Sequence, residues 1–275
     1  MPELPEVETV RRVLKENLIG LKITGIDARY PKIIDDDLEY FRSNVIGKTY
    51  KDIKRLGKFL IFELDNGYIV SHLRMEGKYF YLNDDYDNKH VHVVINLSNG
   101  YRLLYQDVRK FGRMCYKEDN ELYNTKPLNE VGYDPINNEN YDLDLIYNQI
   151  HKKNKEIKQI LLDQSIIAGL GNIYVDEVLF DVRINPHTPS NKISKTKVNE
   201  IILATKKILS KAIEYKGTTI RSYTSSLGVI GGYQDFLNVH TKNTCPLCKK
   251  ELICDRIGGR STYYCKDCQK WLWKK

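Results

Sequence analysis

Two cysteine pairs constrain the fold of this chain more than any other feature of its sequence. Cys245-Pro-Leu-Cys248 and Cys265-Lys-Asp-Cys268 are separated by 16 residues, a spacing typical of a four-thiolate zinc site. Each pair can direct two sulfur atoms at one ion, and the intervening segment is long enough for a β-hairpin. Because four thiolates leave no open coordination position, we expect one structural Zn²⁺.

The segment around these cysteines is strongly basic. Residues 240–275 carry nine Lys and Arg against three Asp and Glu, which accounts for +6 of the formal net charge of +7. Arg260 lies between the two cysteine pairs, where a hairpin would expose it. A basic hairpin held by a metal ion predicts an anionic partner, and nucleic acid is the first candidate.

The length and composition indicate a folded protein of two domains. The chain has 275 residues, of which 41% are hydrophobic. Its first residues lack the cationic and apolar regions of a secretory signal, and no apolar run reaches the roughly 18 residues of a membrane helix. We therefore expect a cytosolic protein, in which reduced thiols favour zinc over disulfides. Cys115 and Cys254 lack neighbouring cysteines and are predicted to be bystanders.

Hydrophobic periodicity changes along the chain. Val7, Val10, Leu14 and Leu18 have helical spacing and predict a helix over 6–19 that ends at Gly20. Two hairpins with Asn-Gly turns follow, pairing 59–64 with 68–73 and 92–97 with 101–105. Several such strands predict a sandwich or barrel. A polar, turn-rich stretch over 129–145 marks a boundary, and helical periodicity then returns, clearest over about 198–215.

The N-terminus could carry chemistry. Methionine before proline is usually trimmed, which would leave Pro2 with a free secondary amine. An α-amino group has a pKa of about 8, against about 10.4 for lysine, so part of it is unprotonated at neutral pH. Condensation with an aldehydic carbon would give an iminium that acts as an electron sink, and Glu3 beside it could donate a proton. Taken alone, a frayed N-terminus is the commoner situation.

Further along the chain, Gly169-Leu-Gly171-Asn172 predicts a turn that leads into a helix near Ile173. It lacks the third glycine and the preceding strand of a dinucleotide-binding motif. Free backbone N–H groups at the start of that helix could bind a phosphate of the nucleic-acid backbone. The upstream lysines over 152–158 either attract the same phosphates electrostatically or form a solvated helix face. Similarly, Met75, Arg109 and Phe111 are either core residues or a wedge that fills a gap in a base stack.

Together these residues resemble the formamidopyrimidine-DNA glycosylases, which repair oxidised purines in DNA. The resemblance covers essentially the whole chain. It is carried by the following segments: Pro2-Glu-Leu-Pro-Glu-Val-Glu8, Arg55-Leu-Gly-Lys-Phe59, His72-Leu-Arg-Met-Glu-Gly77, Asp107-Val-Arg-Lys-Phe-Gly112, Ala168-Gly-Leu-Gly-Asn-Ile-Tyr174, and the cysteine array around Gly259-Arg260.

The resemblance implies an α+β fold. An N-terminal β-sandwich with an N-terminal helix is expected over 1–132, a linker over 133–150, and a helix-two-turn-helix domain over 151–238. A loop over about 217–235 would close over the lesion, and a zinc-finger β-hairpin would occupy 239–275. The resemblance also implies a monomer in the bacterial cytosol, associated with the nucleoid and needing no organic cofactor.

The resemblance further implies a glycosylase and strand-cleaving lyase that acts on damaged double-stranded DNA. Pro2 would form a Schiff base with C1′ of the damaged nucleotide, assisted by Glu3, and Lys58 and Arg260 would serve β- and δ-elimination. Met75, Arg109 and Phe111 would occupy the vacated base stack. The residues expected to bind DNA phosphates are His90, Lys153, Lys158 and Asn172. Glu6 and Glu177 would line the site that receives the lesion.

The chain departs from the family pattern at three places. Val91 replaces the aspartate of a usual Lys-His-Asp-His, and Gln159 stands where proline is common. His240 replaces a tyrosine that usually contacts phosphate. Two alternatives stay open. A sister branch removes oxidised pyrimidines but typically begins Pro-Glu-Gly-Pro-Glu, whereas this chain has Leu4, and it tends to lose the Arg109–Phe111 wedge. A zinc-ribbon DNA-binding protein without catalysis would also fit the basic hairpin.

Overall fold

A computed structural model of the chain describes residues 1–84, 86, 88–218 and 231–271. These residues form two compact units. The first comprises 1–129 with 216–218 and 231–232, and the second comprises 130–215 with 233–271. Most of the loop expected to close over a lesion, residues 219–230, lies outside the described part of the chain. Within that part, no helix is both long and apolar enough to cross a membrane.

The first unit is a β-sandwich with two helices. Its helices and strands are α1 Leu4–Leu18, β1 Ile23–Ala28, α2 Leu38–Val45, β2 Tyr50–Leu56, β3 Phe59–Leu64, β4 Tyr68–His72, β5 Lys78–Leu82, β6 Val91–Leu97, β7 Arg102–Gln106 and β8 Arg113–Lys117. One sheet has the order β1-β6-β7-β5 and the other β2-β3-β4-β8, with antiparallel pairing throughout. Both predicted hairpins are confirmed, as β3–β4 and β6–β7.

One hydrophobic core joins the two sheets. Alternate residues of β6, namely Val93, Ile95 and Leu97, point into it, as the period of two in a strand requires. Helix α1 adds Val10 and Leu14 to the same core, which confirms the amphipathic helix predicted from the sequence. The N-terminal segment is therefore anchored by burial of apolar side chains rather than frayed.

A buried ion-pair cluster fixes α1 on β2. The Glu8 carboxylate accepts hydrogen bonds from Arg11 and Arg12 on its own helix and from Arg55 Nε of β2 at 3.2 Å. Arg55 also donates to the carbonyl of Gly57 at 2.9 Å, in the turn that carries Lys58. Burial alone would raise the pKa of the Glu8 carboxyl, but the guanidinium groups, first of all Arg11, outweigh burial and lower the pKa.

The second unit is helical and ends in a hairpin. Its elements are α3 Leu143–His151, α4 Ile157–Leu161, α5 Asn172–Asp181, α6 Lys195–Glu214, β9 Ile253–Ile257 and β10 Arg260–Tyr264. Residues 174–180 of α5 are all buried, which makes α5 the central helix of this unit. The predicted fold class, a β-sandwich followed by a helix-two-turn-helix region and a cysteine-rich hairpin, is confirmed.

Two elements differ from the domain bounds expected from the sequence. Helix α3 lies within the segment expected to be a linker, because Asp142 caps its first turn and Ile146 and Ile150 are buried. Residues 216–218 group with the first unit rather than with the helical domain. The physical reason is that Thr218 donates from its backbone N–H and its hydroxyl to the Glu6 carboxylate.

We predict that Glu8→Gln lowers the free energy of unfolding by about 3 kcal/mol at neutral pH, because it takes the negative charge of Glu8 away from the buried Arg55 guanidinium. Glu39→Gln, which alters an exposed pair with Arg42 on α2, should change it by less than about 0.5 kcal/mol. Urea denaturation measures both variants.

The pH dependence of this effect follows from the lowered pKa of Glu8. Ionised Glu8 contributes its stability above the unfolded-state pKa of about 4.3, and that contribution is lost as the pH falls through the lower folded-state pKa. The difference between wild type and Glu8→Gln should therefore shrink below about pH 4. A difference that stays constant down to pH 2 would contradict this assignment.

Candidate active site

In the first unit, acidic groups surround the start of α1. Pro2 and Glu3 are buried, and the Glu3 N–H donates to Glu6 Oε2 at 2.8 Å. Burial lowers the pKa of the chain's N-terminal amine, here on Met1, while the carboxylates of Glu3 and Glu6 partly oppose that shift. An amine in such a place is unprotonated to a larger extent at neutral pH, and an unprotonated amine is the form that can act as a nucleophile.

Among the residues that the structure describes, Glu3 and Thr218 donate three hydrogen bonds to the Glu6 carboxylate. Besides the Glu3 N–H, its Oε1 accepts from Thr218 N at 2.7 Å and from Thr218 Oγ1 at 3.2 Å. Gly217 has a positive φ of 78°, and a Cβ there would lie 2.4 Å from Glu6 Oε1. Only glycine allows this approach, so the segment around Thr218 is fitted closely onto the start of α1.

Lys58 lies in the turn between β2 and β3. Its side chain is almost fully buried, with 4% exposed, and its charge acts on the N-terminal amine, whose pKa it helps to lower. Burial, with smaller contributions from the charges of Arg74 and Lys58, lowers the pKa of His72 to about 3. The His72 imidazole is therefore neutral and adds no positive charge beside Lys58.

Met75 follows a turn that depends on this neutral histidine. Neutral His72 accepts the Arg74 N–H at Nδ1, 2.9 Å away, where Arg74 adopts a positive φ of 52°. The hydrogen bond holds the backbone in the left-handed region, which a non-glycine residue enters only at a cost in energy. The following residue, Met75, is half-buried in this unit.

A second turn presents Arg109 and Phe111. Fully buried Asp107 accepts from the backbone N–H groups of Arg109, Phe111 and Gly112, at 2.8–3.0 Å. Phe111 is 48% exposed, and the Arg109 guanidinium lies over its ring at 4.7 Å. The predicted wedge residues are thus at the surface of one rigid turn rather than in the core. His90 accepts the Asp107 N–H at its backbone carbonyl, which brings this residue beside the turn.

In the second unit, the Lys158 ammonium is fully buried. It donates to Asp176 Oδ1 at 2.7 Å and to the Ser261 carbonyl at 3.0 Å, and the Asn172 side chain donates to the same carbonyl. These bonds fix β10 beside the start of α5. A contact of Lys158 with phosphate stays a prediction, because in this structure its ammonium is engaged inside the protein. Lys153 is half-buried and pairs with Asp163.

Glu177 and His240 hold the segment that leads to the cysteines. Glu177 accepts from the backbone N–H groups of Asn238, Val239 and His240, at 2.8–2.9 Å. The His240 ring contacts Asp176 Oδ2 through Nδ1 at 2.8 Å. Sequence reasoning missed Asp176, although its position next to Glu177 on a fully buried helix was a usable signal.

The four predicted cysteine ligands come together. The Sγ atoms of Cys245, Cys248, Cys265 and Cys268 all lie within 4.8 Å of one another. Buried Gln269 accepts the Cys265 N–H at 2.8 Å and donates to the Ile184 carbonyl, which ties the cluster to the helical part of the unit. This cluster can hold a metal ion, and four sulfur donors suit a closed tetrahedral site.

Arg260 is the first residue of β10 and directly follows the turn that joins β9 and β10. Gly258 and Gly259 both have positive φ, 55° and 77°, as a tight two-residue hairpin turn requires. The Arg260 side chain is exposed directly after them. A cleft of about 270 Å³ beside this turn is lined by Lys153, Lys155 and Arg260, among others.

Comparison with known proteins identifies the family to which this chain belongs. Residues 1–114 match the formamidopyrimidine-DNA glycosylase N-terminal domain, and residues 131–224 match the formamidopyrimidine-DNA glycosylase H2TH domain. The chain belongs to the formamidopyrimidine-DNA glycosylase family. Members of this family are bifunctional DNA glycosylases and AP lyases, and so is this enzyme. The family expected from the sequence motifs is confirmed.

The similarity to individual glycosylases extends over full length. The formamidopyrimidine-DNA glycosylase of Streptococcus mutans is 42% identical over 98% of this chain and 100% of its own length. That of Oceanobacillus iheyensis is 43% identical over 98% of each chain. A crystal structure of wild-type Lactococcus lactis Fpg with N7-benzyl-Fapy-dG DNA has a TM-score of 0.90 at 38% identity. A MutM complex with carbocyclic 8-oxo-G DNA also has 0.90 at 38%. Each covers 98% of this chain and 100% of its own.

We predict that Asp107→Ala lowers the free energy of unfolding by about 3 kcal/mol, because it leaves the N–H groups of Arg109, Phe111 and Gly112 without their acceptor. Urea denaturation measures the change. Asp119→Ala replaces an exposed aspartate in the same unit and should cost less than about 0.5 kcal/mol. Equal effects of both variants would show that the Asp107 turn is not held as described.

Proposed function

We propose that this glycosylase excises oxidised purines, 8-oxoguanine and formamidopyrimidines, from duplex DNA through a Schiff base at Pro2 and then cleaves the strand. The observation that carries the proposal is the environment at the start of α1, where Pro2 and Glu3 are buried beside the Glu6 carboxylate and where burial lowers the pKa of the amine on Met1. The relatives bound to Fapy-dG and 8-oxo-G DNA support this substrate class.

The first step needs removal of Met1, which turns the Pro2 nitrogen into a secondary amine. This nitrogen attacks C1′ of the damaged nucleotide, the glycosidic bond breaks, and the base leaves with its bonding electrons and takes up a proton. Glu3 protonates the ring oxygen as the sugar opens, which gives the iminium. The position of Glu3, buried directly after Pro2, supports its role as the proton donor.

Strand cleavage follows from the iminium. Loss of a proton from C2′ allows the C3′–O bond to break with the 3′ phosphate as leaving group, and a second elimination breaks the C5′–O bond. Lys58, whose charge acts on the neighbouring amine of Met1, serves β-elimination. Arg260, exposed at the hairpin turn, binds phosphate and serves δ-elimination. The result is a one-nucleotide gap.

Exposed residues are expected to contact DNA directly, whereas buried residues hold the DNA-binding elements in place. Exposed Phe111 with Arg109, together with Met75, fills the space left by the flipped nucleotide and faces the orphan cytosine. We expect His90, Lys153 and the N-terminus of α5 at Asn172 to bind phosphates. Lys158 contributes by holding β10 and contacts a phosphate only if its bond to Asp176 opens.

We expect Glu6 and Glu177 to affect the damaged base indirectly, because each holds a backbone segment within its own unit. Glu6 binds the segment at Thr218, and Glu177 binds the segment 238–240. Both carboxylates are buried, so their expected effect on a damaged base is exerted by the loops they fix. We further infer that one chain suffices for activity, and that the enzyme works as a monomer on nucleoid DNA in the bacterial cytosol.

The metal bound by the four cysteines is, we infer, Zn²⁺ with a structural role. A soft, four-sulfur donor set with no open position fits this ion. Cys245, Cys248, Cys265 and Cys268 would hold it. Its contribution is to keep the hairpin that carries Arg260 folded, since the hydrophobic cluster around the thiols is small.

We predict that borohydride traps a covalent adduct between wild-type enzyme and duplex DNA with 8-oxoguanine opposite cytosine. Pro2→Ala should form this adduct about 100-fold more slowly or not at all, because the secondary amine is lost. Pro5→Ala, which changes a proline nitrogen within the first turn of α1, should trap like wild type.

Three outcomes would separate the alternatives. Trapping restricted to thymine glycol DNA would assign the enzyme to the sister branch that removes oxidised pyrimidines. If wild-type protein bound lesion DNA tightly but formed no trapped adduct, it would be a DNA-binding protein without catalytic activity. Undiminished trapping by Pro2→Ala would show that a secondary amine is not required, and undiminished trapping also by protein that retains Met1 would move the nucleophile elsewhere, with Lys58 as the next candidate.

We predict that wild-type protein contains one zinc per chain and that Cys265→Ala loses it. Its affinity for lesion DNA should fall about tenfold or more, because the hairpin and Arg260 lose their support. Native mass spectrometry and DNA titration measure both. Cys254→Ala, which changes the exposed thiol on β9 outside the cluster, should keep the metal and the affinity. Normal cleavage by folded, zinc-free enzyme would contradict this role.

A further inference from the structure

Strand β6 contains a bulge near its first residue. Val91 pairs with Gln106 of β7, whereas Val93 pairs with Tyr105, so two residues of β6 correspond to one residue of β7. The extra residue is His92. A bulge changes the direction of the side chains around it, and bulges are frequent next to functional sites. The direction of the His92 side chain is therefore set by this bulge rather than by the regular alternation of the strand.

The packing of Val91 shows the same change of direction. In a regular strand, Val91 would lie on the same face as Val93. Here Val93 belongs to the main core of the sandwich, whereas Val91 packs with Val94 and Leu104 in a small separate cluster. Val91 is also a residue at which this chain departs from the family pattern. Its burial among apolar side chains helps to anchor the bulge.

The His92 ring is buried and bonded to the backbone of Asp107. Only 3% of His92 is exposed, and its Nε2 lies 2.8 Å from the Asp107 carbonyl oxygen. A carbonyl oxygen only accepts hydrogen bonds, so Nε2 carries the hydrogen. The neutral ring in this tautomer and the protonated ring both donate from Nε2. The bond therefore does not depend on the protonation state of His92.

Asp107 is the central residue of the turn over 107–112, which we call the wedge turn. Its carboxylate accepts three backbone N–H groups of this turn. Its carbonyl accepts the Lys110 N–H at 3.2 Å in addition to the bond from His92, and its own N–H donates to the His90 carbonyl at 3.0 Å. A bond from His92 to this carbonyl thus fixes the peptide group from which the wedge turn begins.

Tyr30, two residues after β1, contacts both His92 and the wedge turn. Its ring packs against the His92 ring with 5.5 Å between centroids, and its N–H donates to the His92 carbonyl at 3.1 Å. The Lys110 ammonium lies over the same tyrosine ring at 4.5 Å, where Lys110 adopts a positive φ of 58°. The imidazole therefore lies between the tyrosine ring on one side and the carbonyl of the wedge turn on the other.

We propose that His92 is a positioning residue that holds the wedge turn through the Asp107 carbonyl, so that Arg109 and Phe111 meet the DNA in one fixed orientation. The expected consequence is discrimination of the base opposite the lesion, because the wedge is the part of the first unit that faces this base. That consequence rests on the proposed function of Arg109 and Phe111. The effect of His92 on the order of the wedge turn does not.

Three substitutions at position 92 separate the donor from the volume of the side chain. His92→Gln carries an amide that can reach the Asp107 carbonyl and donate to it. His92→Leu fills similar space without a donor, and His92→Asn has a donor on a side chain one carbon shorter, which does not reach the carbonyl. Ile23→Val is the control for a general loss of stability, since buried Ile23 pairs with Leu97 at the other end of β6.

The first readout needs neither DNA nor activity. Hydrogen exchange of the Arg109, Phe111 and Gly112 amides reports how often the wedge turn opens. We expect His92→Leu and His92→Asn to exchange these amides about three- to tenfold faster than wild type, because one buried hydrogen bond is lost. In His92→Gln and Ile23→Val the change should stay below about twofold.

Two results of this measurement would overturn the proposal. One is exchange in His92→Leu that equals wild type, and the other is exchange in His92→Gln or Ile23→Val that is as fast as in His92→Leu. If His92→Leu does not fold, His92→Asn takes its place in both comparisons.

The second readout is the affinity for duplex DNA with a tetrahydrofuran abasic site, measured opposite cytosine and opposite adenine. We expect His92→Leu and His92→Asn to lower the preference for cytosine about three- to tenfold, while His92→Gln and Ile23→Val keep it. An unchanged preference in folded His92→Leu would contradict the link to base discrimination. Absence of any preference in wild type would instead overturn the proposed role of the wedge, while the exchange data still decide whether His92 holds the wedge turn.

Discussion

The buried carboxylate of Glu8 organises the first unit. Arg11 and Arg12 reach it from its own helix, and Arg55 reaches it from β2 while also binding the Gly57 carbonyl. A guanidinium that is 1% exposed cannot be left without its partner, so α1 and the β2–β3 turn have to be placed together. The N-terminal amine precedes α1, and Lys58, in the β2–β3 turn, is near enough for its charge to lower the pKa of that amine. The packing that stabilises the sandwich therefore also sets the two groups that the proposed chemistry uses.

A second buried cluster plays the same part in the helical unit. Asp176 binds the Lys158 ammonium and the His240 ring, and the neighbouring Glu177 binds the backbone of the segment 238–240. His240, one of the places where this chain departs from the expected pattern, is joined to the cluster by the contact of its Nδ1 with Asp176 Oδ2 at 2.8 Å. The hairpin with the four cysteines is thus attached by ionic and backbone bonds, with little apolar surface of its own.

Much of this could be predicted from local sequence. The Asn-Gly turns, the helical spacing in α1 and the cysteine spacing each specify a structure through neighbours within about twenty residues, and the structure contains all of them. The partners of buried charges could not be predicted this way. Glu8 and Arg55 are 47 residues apart, and Asp176 receives the Tyr263 N–H from 87 residues away. Such pairs depend on which surfaces pack together, and no local pattern encodes that.

By itself, the sequence indicated a β-rich part, a helical part and a four-cysteine site through periodicity and spacing. The resemblance of its motifs to a known family implied the fold class and most of the candidate residues. Only the tertiary structure decided the state of each group. It made His72 neutral, enclosed the Lys158 ammonium, exposed Phe111 on a turn held by Asp107, and directed His92 at the Asp107 carbonyl. The physical reason is that protonation, exposure and hydrogen bonding depend on the dielectric surroundings and charges that folding brings to a side chain.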